Sequence, residues 1–431
     1  MVESGSPFKG WRIVGASFIV LFVVYGIQFS FGTFVDDITR DTGWSETRLQ
    51  LIIAIYIFSY SALSAVSGWL TDRVGPRRVV IFGSVVLTSG YLVWANASNL
   101  SMVFVGLGLI APIGMCCSWV PCNATVVRWF VSRRGLATAV ATAGGSTANI
   151  FVPPIAAALV NQYGWRIAMT AMALFGGLAM LVSALVLERD PESVGQLPDG
   201  KITKTVKPLK MNKQSVFMVY LVGAETLNFG NETRTEKETN ASEAWRSVNY
   251  WRIFAMYLLT FTVVFVPFIH GVQFAQSLGF SLQTASTVIS SIGVGGLVGR
   301  MTMGPLSDRI GRRHAVIFAF AFEAFAFAGF AFSQDLILLY PSAFVFGFAY
   351  GGSVTIFPPL VADLFGRAHA GSIVGRIFAS AGSAAALGPY AAQLLVNRLG
   401  NYRWAFFVGA IANLLAMLIA ARLPQSLNKK D

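Results

Sequence analysis

The stretch Gly68-Trp69-Leu70-Thr71-Asp72-Arg73-Val74-Gly75-Pro76-Arg77-Arg78 returns 236 residues later as Gly304-Pro305-Leu306-Ser307-Asp308-Arg309-Ile310-Gly311-Arg312-Arg313. Two copies of one polar loop at a fixed spacing mark an internal duplication, because each copy must join the same pair of elements in its own half. The likeness extends outward from these loops. Trp11-Arg12-Ile13 matches Trp251-Arg252-Ile253 at an offset of 240, and Ala143-Gly144-Gly145 matches Ala381-Gly382-Ser383 at 238. The near-constant offset predicts two halves built in the same order.

What flanks the loops is apolar. The chain has 431 residues, of which 55% are hydrophobic and only 12% charged. A soluble domain carries about 25% charged residues, so a soluble enzyme, a disordered chain and a nucleic-acid module are all excluded. The three cysteines, Cys116, Cys117 and Cys122, share one apolar run, which is neither a disulfide framework nor a spaced zinc site. Runs able to cross ~30 Å of hydrocarbon fall near 12–35, 48–70, 79–96, 101–125, 135–160, 165–187, 252–276, 282–304, 314–333, 337–361, 371–396 and 404–422. No alternating strand pattern appears. The expected fold is therefore all-α and membrane-integral, with twelve transmembrane helices in two pseudo-symmetric six-helix bundles. The first run, following Lys9 and Arg12, is too long for a signal-peptide core and reads as an uncleaved span.

The net charge of +12 is a matter of topology. With the N-terminus inside, sixteen of the 32 Lys and Arg fall in the termini and inner loops, ten in 188–252, five outside and one, Arg300, within a span. Both termini are thus expected in the cytoplasm, with membrane lipids as the surroundings and no nucleic-acid partner. The expected organisation is 1–187 as an N-terminal bundle, 188–251 as a cytoplasmic linker and 252–431 as a C-terminal bundle with a short tail. The linker, with lysines at 201, 204, 207, 210 and 213, reads as solvated, with room for a short surface helix.

In the repeated loop, Gly allows close helix approach, and Asp can take a helix N-terminus or a neighbouring Arg. We expect Asp72, Arg73, Asp308 and Arg309 to bolt a cytoplasmic gate. Carrying this doubled signature, a 6+6 arrangement and a central loop, the chain resembles the major facilitator superfamily over essentially its whole length. The resemblance implies two helical bundles around a midplane cavity that opens to each side in turn.

Fold alone does not name a cargo. Arg300 lies within Gly293-Val-Gly295-Gly296-Leu-Val-Gly299-Arg300, and its repeat partner is Ser64, so the shared scaffold does not require the charge. An unpaired guanidinium there costs about 2.5–3.5 kcal/mol or more. It reads as a cavity-facing fork for a carboxylate. Polar and aromatic residues at compatible depth are Gln28 and Phe29 in span one, Trp119 and Asn123 four apart in span four, His270 and Gln273 in span seven, and Tyr350 in span ten. Together they describe an aromatic-walled cavity with one fixed positive charge, suited to a small, mostly apolar anion.

Gly26-Ile-Gln28-Phe29-Ser30-Phe31, Arg128-Trp129-Phe130, Arg300 eight residues before Asp308, Tyr350-Gly-Gly-Ser and Asp363-Leu-Phe365-Gly are similar to motifs of the oxalate:formate antiporter and monocarboxylate transporter branch. The resemblance implies substrate binding by Arg300, a role for Gln28, and cavity walls at Phe29, Trp119 and Tyr350. Two departures bear on the cargo. The oxalate carrier's second basic residue falls on Ala381, which favours a lactate-, pyruvate- or formate-like monocarboxylate over a dianion. The acidic residue four before the arginine in animal carriers falls on Gly296, which leaves proton symport and anion exchange both open. His270 and Glu323 are the evident proton-carrying candidates within spans. We expect a secondary active transporter, not an enzyme, working as a monomer in a bacterial cytoplasmic (inner) membrane. No cofactor or metal is expected. An oxalate or other dicarboxylate antiporter, or a transporter-like receptor, is the alternative.

Overall fold

The computed structural model describes residues 7–200, 239–384 and 386–424. Among them, eleven helices are long and apolar enough to cross a membrane. Leu282–Ile310, of 29 residues, completes twelve. In chain order the spans are Gly10–Phe29, Glu46–Val74, Pro76–Ala95, Leu100–Trp129, Arg134–Tyr163 and Trp165–Val186, then Val248–Ser277, Leu282–Ile310, Arg312–Phe332, Leu336–Phe365, Ala370–Leu399 and Arg403–Ala420. Span eight is rich in glycine and serine because it packs along spans five and ten, protein faces where small residues and not lipid-seeking ones serve.

Several spans are broken for visible reasons. Span one ends at Phe29, earlier than the apolar run suggests, and the chain continues as a separate helix, Phe31–Thr42. Span four carries a π-helical turn at Phe104–Ile110 and a non-helical Cys117 (φ −80°, ψ 16°), followed by Pro121 inside the helix. Span eleven is interrupted before Gly388-Pro389, where proline begins a new helical segment, Gly388–Leu399.

The repeated loops take matching backbone. Gly75 sits at φ +89°, ψ 155° and Gly311 at φ +88°, ψ 150°, a left-handed region that favours glycine. Beside them the bundles meet without side chains between them. A Cβ on Gly68 would stand 2.1 Å from the Gly371 carbonyl oxygen, and one on Gly135 would stand 2.1 Å from that of Gly304. These contacts join span two to span eleven and span five to span eight.

The described parts of 188–251 lie against the same end of the bundles as the termini. Trp129 Nε1 donates to the Glu188 carbonyl, Arg367 pairs with Glu192, and the Thr239 amide donates to the Phe365 carbonyl. A short helix, Ala241–Arg246, follows, its N-terminus closed by reciprocal bonds between Asn240 and Glu243. The lysine row at 201–213 lies outside the described residues.

Candidate functional site

At the terminal end, the two repeated aspartates do the same work at equivalent places in the two halves. Asp72 of span two accepts from the amides of Gly371 (3.1 Å) and Ser372 (2.6 Å) at the start of span eleven. Asp308 of span eight accepts from the amides of Gly135 (2.8 Å) and Leu136 (2.9 Å) at the start of span five. Each carboxylate thereby caps a helix N-terminus in the opposite half, where unpaired N–H groups and the helix dipole attract an anion. Each also holds an arginine of its own half: Asp72 pairs with Arg128, and Asp308 with Arg312 at 2.6 Å.

Arg73 and Arg309, expected in the gate, are not there. Both are exposed, and Arg73 lies 5.3 Å over the Trp69 ring. Helical geometry turns the residue after each aspartate away from the seam between the halves. Other charges fill the place. Arg128 donates to the Arg367 and Ala368 carbonyls at 3.0 and 2.8 Å, and Asp363 accepts from Arg134 at 2.6 Å and from Arg312 at 2.9 Å. Three of these links cross between the halves, as do the four amide bonds to Asp72 and Asp308, so the terminal end is closed.

Above the closed end lies a cavity of about 460 Å³, open away from the termini and walled by both halves. Arg300 stands in its wall, with 9% of its surface exposed. Its Nη1 donates to Ser146 Oγ of span five, and its guanidinium carbon sits 5.8 Å over the Tyr350 ring. Its Nε is buried without a hydrogen-bond partner, and no acid among the described residues forms an ion pair with it. A buried cation with an unused donor at a cavity wall has the chemistry to pair with an anion.

Gln28, Phe29, Trp119 and Tyr350 line the same cavity, as the sequence suggested. Gln28 Oε1 is buried without a hydrogen bond. Trp119 stacks on Phe378 at 4.6 Å, so a ring from each half meets at the floor. Tyr350 stacks parallel to Phe346 and meets Phe268 edge-on.

Four expected contributors lie elsewhere. Asn123 is fully buried behind the wall, its Nδ2 donating to the Trp119 carbonyl at 2.9 Å. The long indole reaches the cavity where the short amide turns back on its own helix. His270 faces span eleven, its Nε2 3.0 Å from the Pro389 carbonyl oxygen, while its neighbours Phe268 and Ile269 take the wall. Gln273 is exposed and absent from the wall. Glu323 lies one layer back, accepting from Ser353 Oγ at 2.8 Å, with Oε2 unpartnered. Ser353 in turn bonds the Tyr350 carbonyl and accepts from Tyr257 through its own carbonyl, so this carboxyl reaches the cavity only through span ten. The side chain of Ala381 is not among those described.

The sequence reading missed Ser146, Asn149, Tyr25 and Tyr60, all in the wall. Ser146 alone had a signal. It follows Ala143-Gly144-Gly145, which repeats as Ala381-Gly382-Ser383, and Gly145 and Gly382 both line the cavity.

A family model described as Major Facilitator Superfamily matches residues 17–301 and 252–430. The chain is similar to monocarboxylate transporter 12-B of Danio rerio, at 22% identity over 431 residues covering 95% of this chain and 86% of the relative. It is similar to monocarboxylate transporter 13 of Rattus norvegicus at 26% identity over 420 residues, covering 94% and 87%. Among solved structures, the proton:xylose symporter XylE superposes with a TM-score of 0.72 at 15% identity, covering 97% of this chain and 96% of that one. The human organic anion transporter MFSD10 superposes at 0.67 with 17% identity, covering 96% and 100%.

Proposed function

The chain belongs to the major facilitator superfamily, and we propose that it carries an organic monocarboxylate across its membrane by alternating access. One observation supports this reading above the others. Arg300, buried at the cavity wall between the halves, has an unused Nε and no acidic partner among the described residues. The names of the relatives, monocarboxylate transporters, point the same way. A single fixed cation favours one carboxylate over two, so oxalate and other dicarboxylates rank below.

In this reading, an entering carboxylate meets the guanidinium fork and neutralises it, which lowers the cost of closing the far end around it. The closed terminal end then opens as its caps release. Positive charge concentrated at the terminal end supports cytoplasmic termini. The relatives named above are vertebrate proteins and lend the bacterial placement no support. Cavity and gate are both complete within one chain, which supports function as a monomer.

Two couplings each rest on a residue. Without cargo, Arg300 would cross with its charge uncompensated, which supports exchange of one anion for another. Glu323, a carboxyl in contact with span ten behind the cavity, supports proton symport. His270 has no contact with the cavity that would support such a role. The test is uptake into proteoliposomes of labelled monocarboxylates against their amides and against oxalate. Concentrative or counterflow uptake of the monocarboxylates alone is expected; equal uptake of the amides would overturn the proposal.

A further inference from the structure

We infer that the cargo is an arylalkyl monocarboxylate, an acid carrying an aromatic ring on a short chain, and not a two- or three-carbon acid. This rests on the reading of Arg300 as the carboxylate fork. The first argument is size. At roughly the 30 Å³ that a water takes in the liquid, the six or so heavy atoms of a three-carbon acid fill at most about 180 Å³. The cavity holds about 460 Å³. Even half of that space exceeds what such an acid fills, and the surplus would be water against apolar walls.

The second argument is what those walls are. Trp119, Phe261, Phe265, Phe268, Tyr350 and Phe378 all face the space, from both halves of the chain. Trp119 and Phe378 lie nearly parallel, 22° apart, and Phe261 meets Phe378 edge-on at 5.9 Å. Such ring clusters favour a further ring in stacked or edge-to-face contact, beyond what burial alone gives. Arg300 anchors one end of the ligand, and its apolar body lies against the rings, a division usual for pockets of this size.

The third argument is the room left by one glycine. Gly293 lines the cavity one turn before Gly296, and a Cβ built on it meets nothing within 4 Å. Its neighbour Gly295 is excluded from larger side chains by the Phe344 carbonyl, 2.2 Å from such a Cβ. The bareness at position 293 therefore serves the cavity and not the packing of the helices.

The experiment is calorimetric titration of the full-length protein in detergent with propionate, 3-phenylpropionate and 3-phenylpropionamide. The aryl acid is expected to bind at least tenfold more tightly than propionate, and the amide not measurably. Gly293→Leu should weaken 3-phenylpropionate at least tenfold and propionate less than twofold, with Ile289→Trp as a second way to fill the same space. Propionate binding as tightly as the aryl acid would overturn the inference while leaving the carboxylate fork in place. An amide binding as well as its acid would instead remove the fork, and the inference with it.

Discussion

Arg300 of span eight donates to Ser146 Oγ of span five, and this bond joins the two halves of the molecule at the cavity wall. The group proposed to hold the cargo is therefore bonded across the surface along which the halves must move. A neutral hydroxyl is a weak partner for a guanidinium, and a carboxylate would be a better one. Cargo and bundle interface thus compete for, or share, one side chain.

Arg300→Lys keeps the charge and loses the planar fork. One charge-assisted hydrogen bond is worth about 1.5–3 kcal/mol, so monocarboxylate uptake should fall roughly 10- to 100-fold. Initial rates in proteoliposomes check this, and wild-type flux in the variant would remove Arg300 from the site.

Gly296→Asp should create a proton-linked site. A Cβ there would stand 3.9 Å from Arg300 Nη1, so the new carboxylate would pair with the guanidinium when ionised. An anionic cargo must then displace it, which is easiest when the aspartate takes up a proton. Affinity should rise as pH falls, by up to about tenfold per unit for one proton. Titration with 3-phenylpropionate from pH 8.5 to 5.5 measures the slope, and a pH-independent affinity would contradict the pairing.

Glu323→Gln separates the two couplings. If its carboxyl carries the proton, accumulation driven by a pH gradient should disappear while counterflow persists. Retained proton-driven accumulation would take Glu323 out of the coupling.

Asp72→Asn and Asp308→Asn should each loosen the closed end. Asparagine keeps one acceptor for the cap but loses the second amide bond and the charge that holds the buried arginine, together worth about 1 kcal/mol or more, so the closed-to-open ratio should fall roughly tenfold or more. Nitroxide labels at the exposed Ser45, just before span two, and Gln276, at the end of span seven, both away from the termini, report the change. The distance between them should shorten as the far end closes; an unchanged distribution in both variants would mean that the caps do not hold the gate.

The fold was legible because lipid imposes it. Long apolar runs, the sorting of arginines and lysines, and a loop spelled twice leave little freedom in how twelve helices are arranged. Arg300 was legible for the same reason, since a charge in such a run requires an explanation. Its surroundings were harder to read. Sequence gives the depth of a residue along a helix, but Asn123 and His270 were misplaced around the axis, where Trp119 and Ile269 took the wall instead. Ser146, 154 positions from its partner, carried no local cue to the contact. In the gate, the second letter of each Asp-Arg pair proved a surface residue, while Arg128 at the end of span four, Arg134 at the start of span five and Arg312 at the start of span nine make the bonds instead.

Asp72 and Asp308 sit on either side of a pseudo-twofold axis, each fastened to the start of a helix in the other half. Loosening one strains the second, since a rigid body cannot tilt away at one corner and stay flush at the corner related to it by the axis. Unlocking should therefore be concerted, a toggle and not a gradual yielding. A lesion confined to one repeat would then be felt at both corners.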